Sequence, residues 1–76
     1  MTDTTKVEIH TDYIELNKLL KFEAIVASGA EAKQVISAKM VIVNGQIVEQ
    51  TRKKVFPGDI VEVQGQLLEV VAQTAS

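Results

Sequence analysis

The chain has 76 residues, of which 46% are hydrophobic and 24% charged, with a formal net charge of −2. That length supports one small domain with one core, and the balance excludes wholesale disorder. Cysteine is absent, which excludes disulfides and thiolate metal sites, and the single histidine, His10, leaves any zinc site dependent on carboxylates.

Met1 to Thr5 is polar and is expected to be flexible, as chain termini usually are. It carries neither a basic, apolar signal nor a glycine after Met1 for acylation, and no apolar run in the chain approaches the roughly 18 residues of a membrane span. A cytoplasmic protein with no membrane partner is expected. Lys6-Val7-Glu8-Ile9-His10 alternates polar and apolar residues, which predicts a strand with Val7 and Ile9 inward.

From Leu16 to Ala27 the pattern is helical, with Leu16, Leu19, Leu20, Ala24, Val26 and Ala27 on one face and Asn17, Lys18 and Lys21 opposite. Glu23 falls inside the apolar face without an evident partner. Ser28-Gly29 stops this helix, with Gly29 suited to a left-handed C-terminal position. Ala30 to Met40 reads as a second helix, capped by Ser28 or Gly29, with Glu31 in the first turn where a negative charge suits the dipole. Ala32, Val35, Ile36 and Met40 form its expected buried face, and Lys33, Gln34 and Ser37 its solvent face.

The remainder is strand and turn. Val41-Ile42-Val43, Asn44-Gly45 and Gln46-Ile47-Val48 form a hairpin signal, because Asn-Gly supplies the positive φ angles of a type I′ turn. Phe56-Pro57-Gly58-Asp59 fits a type II turn. Ile60–Val63 and Leu67–Val71 read as strands joined near Gln64-Gly65-Gln66, and Ala72 to Ser76 as a tail. Residues 6–71 thus form a single α+β domain: a strand, two helices, then a small antiparallel sheet, with the first strand pairing the last.

The charge is unevenly spread. Leu16 to Lys54 holds seven cations against three anions, a local charge of +4, while the flanks hold one cation against seven anions, or −6. A basic segment inside an acidic frame can present one positive face on an acidic molecule. Arg52-Lys53-Lys54 concentrates three cations between the hairpin and the proline turn.

These features weigh on function. Catalysis has no support: His10 ends a strand as a surface side chain, and no phosphate loop, zinc motif or calcium loop is present. No metal and no cofactor is expected. Ala38-Lys39-Met40 resembles the core of a biotin-attachment motif, but Lys39 ends a helical pattern instead of sitting on a hairpin tip. Nucleic-acid binding fits better. Lys18, Lys21, Lys33, Arg52, Lys53 and Lys54 can meet phosphates on one surface. The aromatics are Tyr13, Phe22 and Phe56. With the two phenylalanines expected in the core or at its rim, base stacking is disfavoured and shape recognition of structured RNA preferred. A solvated loop that guards a sheet edge is the plainer account of Arg52-Lys53-Lys54.

The order of motifs adds to this. Leu16-Asn17-Lys18-Leu19-Leu20-Lys21, Ser28-Gly29-Ala30-Glu31-Ala32-Lys33, Val41-Ile42-Val43-Asn44-Gly45, Arg52-Lys53-Lys54 and Pro57-Gly58-Asp59-Ile60-Val61 follow one another. Together they closely resemble the ribosomal protein S4-type RNA-binding domain, and the match spans roughly Ile14 to Val63. The resemblance implies the alpha-L fold, with two helices packed at an angle and followed by a small sheet. It also implies an RNA-facing set of Lys21, Ser28, Gly29, Lys33, Asn44, Arg52, Lys53 and Lys54, beside the Lys18 that the helical pattern adds. Where many relatives open the first helix with Arg-Leu-Asp, this chain has Glu15-Leu16-Asn17, which replaces a cation by an anion. The expected partner is structured RNA, ribosomal or transfer RNA. The alternative is a protein-interaction module that docks on a ribosome-associated or RNA-processing protein.

Overall fold

The structure is a computed structural model and describes residues 4–73. The elements run β1 (Thr4–Ile9), β2 (Ile14–Glu15), α1 (Leu16–Phe22), α2 (Gly29–Ser37), β3 (Val41–Val43), β4 (Gln46–Ile47), β5 (Lys54–Val55), β6 (Ile60–Val63) and β7 (Gln66–Ala72). Five strands form one sheet in the order β1-β7-β6-β3-β4, and β2 and β5 form a separate two-stranded ladder. The architecture is α+β, as expected. The main sheet is mixed, however, because β1 runs parallel to β7 while the other pairs are antiparallel.

Period-two alternation builds the inner face of that sheet. Val7, Ile9, Val41, Val43, Val61, Val63, Leu68 and Val70 are all buried, and the register sets Val7 beside Val70, Val61 beside Leu68 and Val41 beside Val63. The helices close this face with Leu16, Leu19, Leu20, Ala32 and Ile36. Among the described residues, the buried set is entirely aliphatic, with no ring and no polar or charged residue in it. Three tight turns fall where glycine marked them. Asn44-Gly45 has φ of 51° and 82°, Gln64-Gly65 has 51° and 76°, and Gly58 has 98°.

Both helices end earlier than the periodicity predicts, and for the same reason. After α1, Glu23 is the C-cap and Ala24 turns left-handed at φ 58°. The Ala24 N–H donates to Lys21 O (3.0 Å) and the Ile25 N–H to Leu20 O (3.0 Å). That pair of bonds is a Schellman motif with alanine in the place usually taken by glycine. It folds half-buried Ile25 and buried Val26 back onto the core from a loop. Ala24 and Ala27, expected on the apolar face, are exposed, and Glu23 is half-buried at the cap. α2 repeats the device. Lys39 adopts φ 63°, and the N–H groups of Lys39 and Met40 donate to Ile36 O and Val35 O, each at 3.1 Å. The reversal carries Met40 off the helical face and leaves it 50% exposed instead of buried. Gly29 does not act as a left-handed stop. It is the first residue of α2, and Ser28 caps that helix by accepting the Glu31 N–H at 3.2 Å.

Thr4 and Thr5, expected to be flexible, belong to β1, and β7 runs to Ala72, the first residue of the expected tail. Gln73 of that tail donates its N–H to Ile9 O (3.0 Å), and the rest of those two expectations, at 1–3 and 74–76, lies outside the described residues. Among the described residues, no helix is long and apolar enough to cross a membrane.

Candidate nucleic-acid interface

The site is organised by the first turn of α1. Its N-cap residue, Glu15, makes no side-chain cap, so the leading N–H groups need other acceptors. They find them in the backbone of the basic connector: Leu16 N–H donates to Lys53 O (2.9 Å) and Asn17 N–H to Thr51 O (3.1 Å). The antiparallel β2–β5 ladder, which the sequence pattern did not reveal, continues the same seam by pairing Glu15 with Lys54 and Ile14 with Val55. Arg52, Lys53 and Lys54 therefore lie along the start of the helix that carries Lys18 and Lys21. Backbone bonds thus join two cation-bearing stretches more than thirty positions apart in the sequence.

The cations differ in how free they are. Lys18 pairs with Glu15 at 3.2 Å, and Lys39 with Glu49 at 4.0 Å. Among the described residues, Lys21, Lys33, Arg52, Lys53 and Lys54 make no salt bridge. The Lys54 ammonium sits 4.9 Å from the centroid of the Tyr13 ring, a cation–π contact of about 0.5–1 kcal/mol at an exposed site. Asn17, expected to face solvent beside the two lysines, is half-buried, and its Oδ1 is buried without a hydrogen-bond partner.

The remaining candidate residues fall elsewhere. Ser28, Gly29 and Lys33 are exposed at the start of α2, where Glu31 also stands. The Ser28 hydroxyl oxygen is engaged as the cap but keeps its proton to donate. Asn44 sits in the hairpin turn with its side chain turned inward to the fold. Its Nδ2 donates to Asp59 Oδ1 (2.9 Å), and its Oδ1 accepts the Ile60 N–H (2.9 Å). One Nδ2 proton remains for any outside acceptor. Asp59, which is not among the expected site residues, is the hub here. Its second carboxylate oxygen accepts the Phe56 N–H at 2.9 Å while its own N–H donates to Phe56 O at 3.0 Å. An aspartate closing a Pro-Gly turn was the available signal, since such side chains bond nearby backbone.

The aromatics also depart from expectation. Phe22 is 66% exposed, Phe56 47% and Tyr13 38%, so neither phenylalanine fills the core. Lys39 lies at the α2 terminus, away from the Asn44-Gly45 tip, which removes the context of a carrier lysine. Among the described residues, no cluster of three or more histidine or acidic side chains is placed to hold a metal ion.

Comparison with known proteins places the fold. The family model of the S4 domain matches residues 7–71. The "Probable ribosome maturation protein RlbA" of Bacillus subtilis (strain 168) is 34% identical over 59 residues, 78% of this chain and 83% of that protein. The small ribosomal subunit protein uS4 of Coxiella burnetii is 51% identical over 37 residues, 49% of this chain but 18% of that protein. Among solved structures, the solution structure of YbcJ from E. coli, described as having an alfaL motif involved in RNA-binding, superposes with a TM-score of 0.71 at 33% identity. It covers 95% of this chain and 92% of that one. A family match across nearly the whole domain, a relative alike over most of both lengths and the shared helix-pair-and-sheet architecture make this chain a member of the S4 domain family.

Proposed function

We propose that this chain binds structured RNA through the basic surface that begins at the α1–connector seam, without catalysis. The observation that carries this reading is the pair of backbone bonds from Leu16 and Asn17 to Lys53 and Thr51. They hold Arg52-Lys53-Lys54 against the helix bearing Lys18 and Lys21, so binding does not have to order the connector first. Five of the candidate cations meet no carboxylate among the described residues, and phosphates are the counter-charge such a face accepts. Lys33 and the Ser28 hydroxyl extend the interface along α2, the latter as a donor to a phosphate or a 2′-hydroxyl. The described functions of the relatives, ribosome maturation and the small ribosomal subunit, favour ribosomal over transfer RNA as the target.

Filter binding across a salt series tests the proposal, with ribosomal RNA fragments and transfer RNA as competing probes. Combined Lys21→Ala, Lys33→Ala and Arg52→Ala changes should flatten the log–log salt slope by about 0.7–0.9 for each phosphate that is no longer neutralised. An unchanged slope in a folded triple variant would remove these residues from the interface.

A further inference from the structure

We infer that Tyr13 and Phe56 form a stacking subsite for a single unpaired RNA base, set at the edge of the basic face. The inference rests on the RNA-binding reading above and adds a second mode of recognition to it. Both rings stand outside an aliphatic core, although burying apolar ring surface would favour the fold. Their centroids are 5.8 Å apart with the planes inclined at 48°.

Their placement is fixed by backbone. The β2–β5 register sets Ile14 opposite Val55, so the next residues outward, Tyr13 and Phe56, leave the ladder side by side. Asp59 fixes the Phe56 N–H, and the Thr11 hydroxyl donates to Tyr13 O at 2.6 Å. An open cleft of about 740 Å³, lined by Thr11, Asp12, Tyr13, Ile14, Glu15 and Lys18, adjoins the Tyr13 member of the pair.

A base is the occupant that the surroundings favour. Every base has a π-face for which exposed rings compete with water, and its phosphate needs a nearby cation. Lys54 lies against Tyr13 from the same ladder, with Arg52 and Lys53 immediately before it. Asp12 and Glu15 repel phosphate from the cleft itself but accept hydrogen bonds from the amino groups of bases. The pattern thus admits a base inward with its phosphate outward.

The chain holds one tyrosine and no tryptophan, so tyrosine emission reports this position alone. The test uses the full chain, a fully paired fluorescein-labelled RNA hairpin, and the same hairpin with one bulged adenosine. Anisotropy reads binding, and Tyr13 emission reads stacking. The bulged hairpin should quench Tyr13 and bind about tenfold more tightly than the paired one, and Phe56→Leu should abolish that preference while leaving paired-hairpin binding unchanged. Tyr13→Leu, read by anisotropy, checks the preference from the other ring. Binding of both hairpins with equal affinity and unquenched Tyr13 would overturn the stacking subsite and leave the phosphate reading standing. Binding of neither hairpin would overturn both. Persistence of the preference in both folded variants would also refute the subsite.

Discussion

Ala24 and Lys39 hold the left-handed conformation that ends each helix, with φ of 58° and 63°. A non-glycine residue there has its Cβ close to a carbonyl oxygen, a cost of about 1–2 kcal/mol. Ala24→Gly should therefore raise the unfolding free energy by about 1 kcal/mol in urea denaturation, the relief of strain being partly offset by the greater entropy of the unfolded chain. This strain explains why both helix ends were illegible in the sequence. Ile25 and Val26 are as apolar as a continuing helix face would be, and neither Ala24 nor Lys39 announces a reversal. Where glycine occupies the left-handed position, as at Gly45, Gly58 and Gly65, the turns were legible. Glu15 carries the second residue-scale prediction. It pairs with Lys18 at 3.2 Å and lies directly across the ladder from Lys54. Removing its charge frees one cation and unmasks another, so Glu15→Gln should tighten RNA binding about threefold at low salt, an effect that fades as the Debye length falls below about 10 Å. Anisotropy titrations at two ionic strengths would measure it.

Among the elements, the short β2–β5 ladder matters more to the proposed interface than the five-stranded sheet does. A strand of two residues is below the length at which alternation can be recognised, so neither β2 nor β5 was legible. The charge of Arg52-Lys53-Lys54 was readable, but its position depends on backbone carbonyls, which every residue has and no side-chain pattern records. The misjudged aromatics have a similar cause. Rings are usually buried, and here the valine- and leucine-rich core is complete without them. The proline turn supports the ladder through Asp59, whose carboxylate joins the Asn44 side chain to the Phe56 backbone. Asp59→Ala leaves the Phe56 N–H and one Asn44 amide proton without their acceptor. It should cost about 2 kcal/mol of stability, measured by denaturant unfolding. Asp59→Asn, which keeps one acceptor oxygen, should be less damaging.

Over the whole molecule, the net charge of −2 is unevenly spread along the sequence, and the proposed interface draws on the basic segment. Glu62 stands exposed on β6, in the middle of the main sheet between Ile42 and Leu67, whereas Glu15 stands on the connector seam. The difference supplies a control for position against total charge. Glu62→Gln alters the net charge as much as Glu15→Gln, yet should tighten RNA binding far less in the same low-salt titration. Equal effects of the two substitutions would mean that RNA senses overall charge instead of one face. The parallel seam between β1 and β7 has a different consequence. Thr4 lies beside Leu67 and Ile9 beside Ala72, so the chain enters and leaves this seam at opposite poles, about 17 Å apart for a strand of this length. A circular permutant joined there would need a linker long enough to run the length of β1, whereas cargo tethered at one pole would leave the other unobstructed.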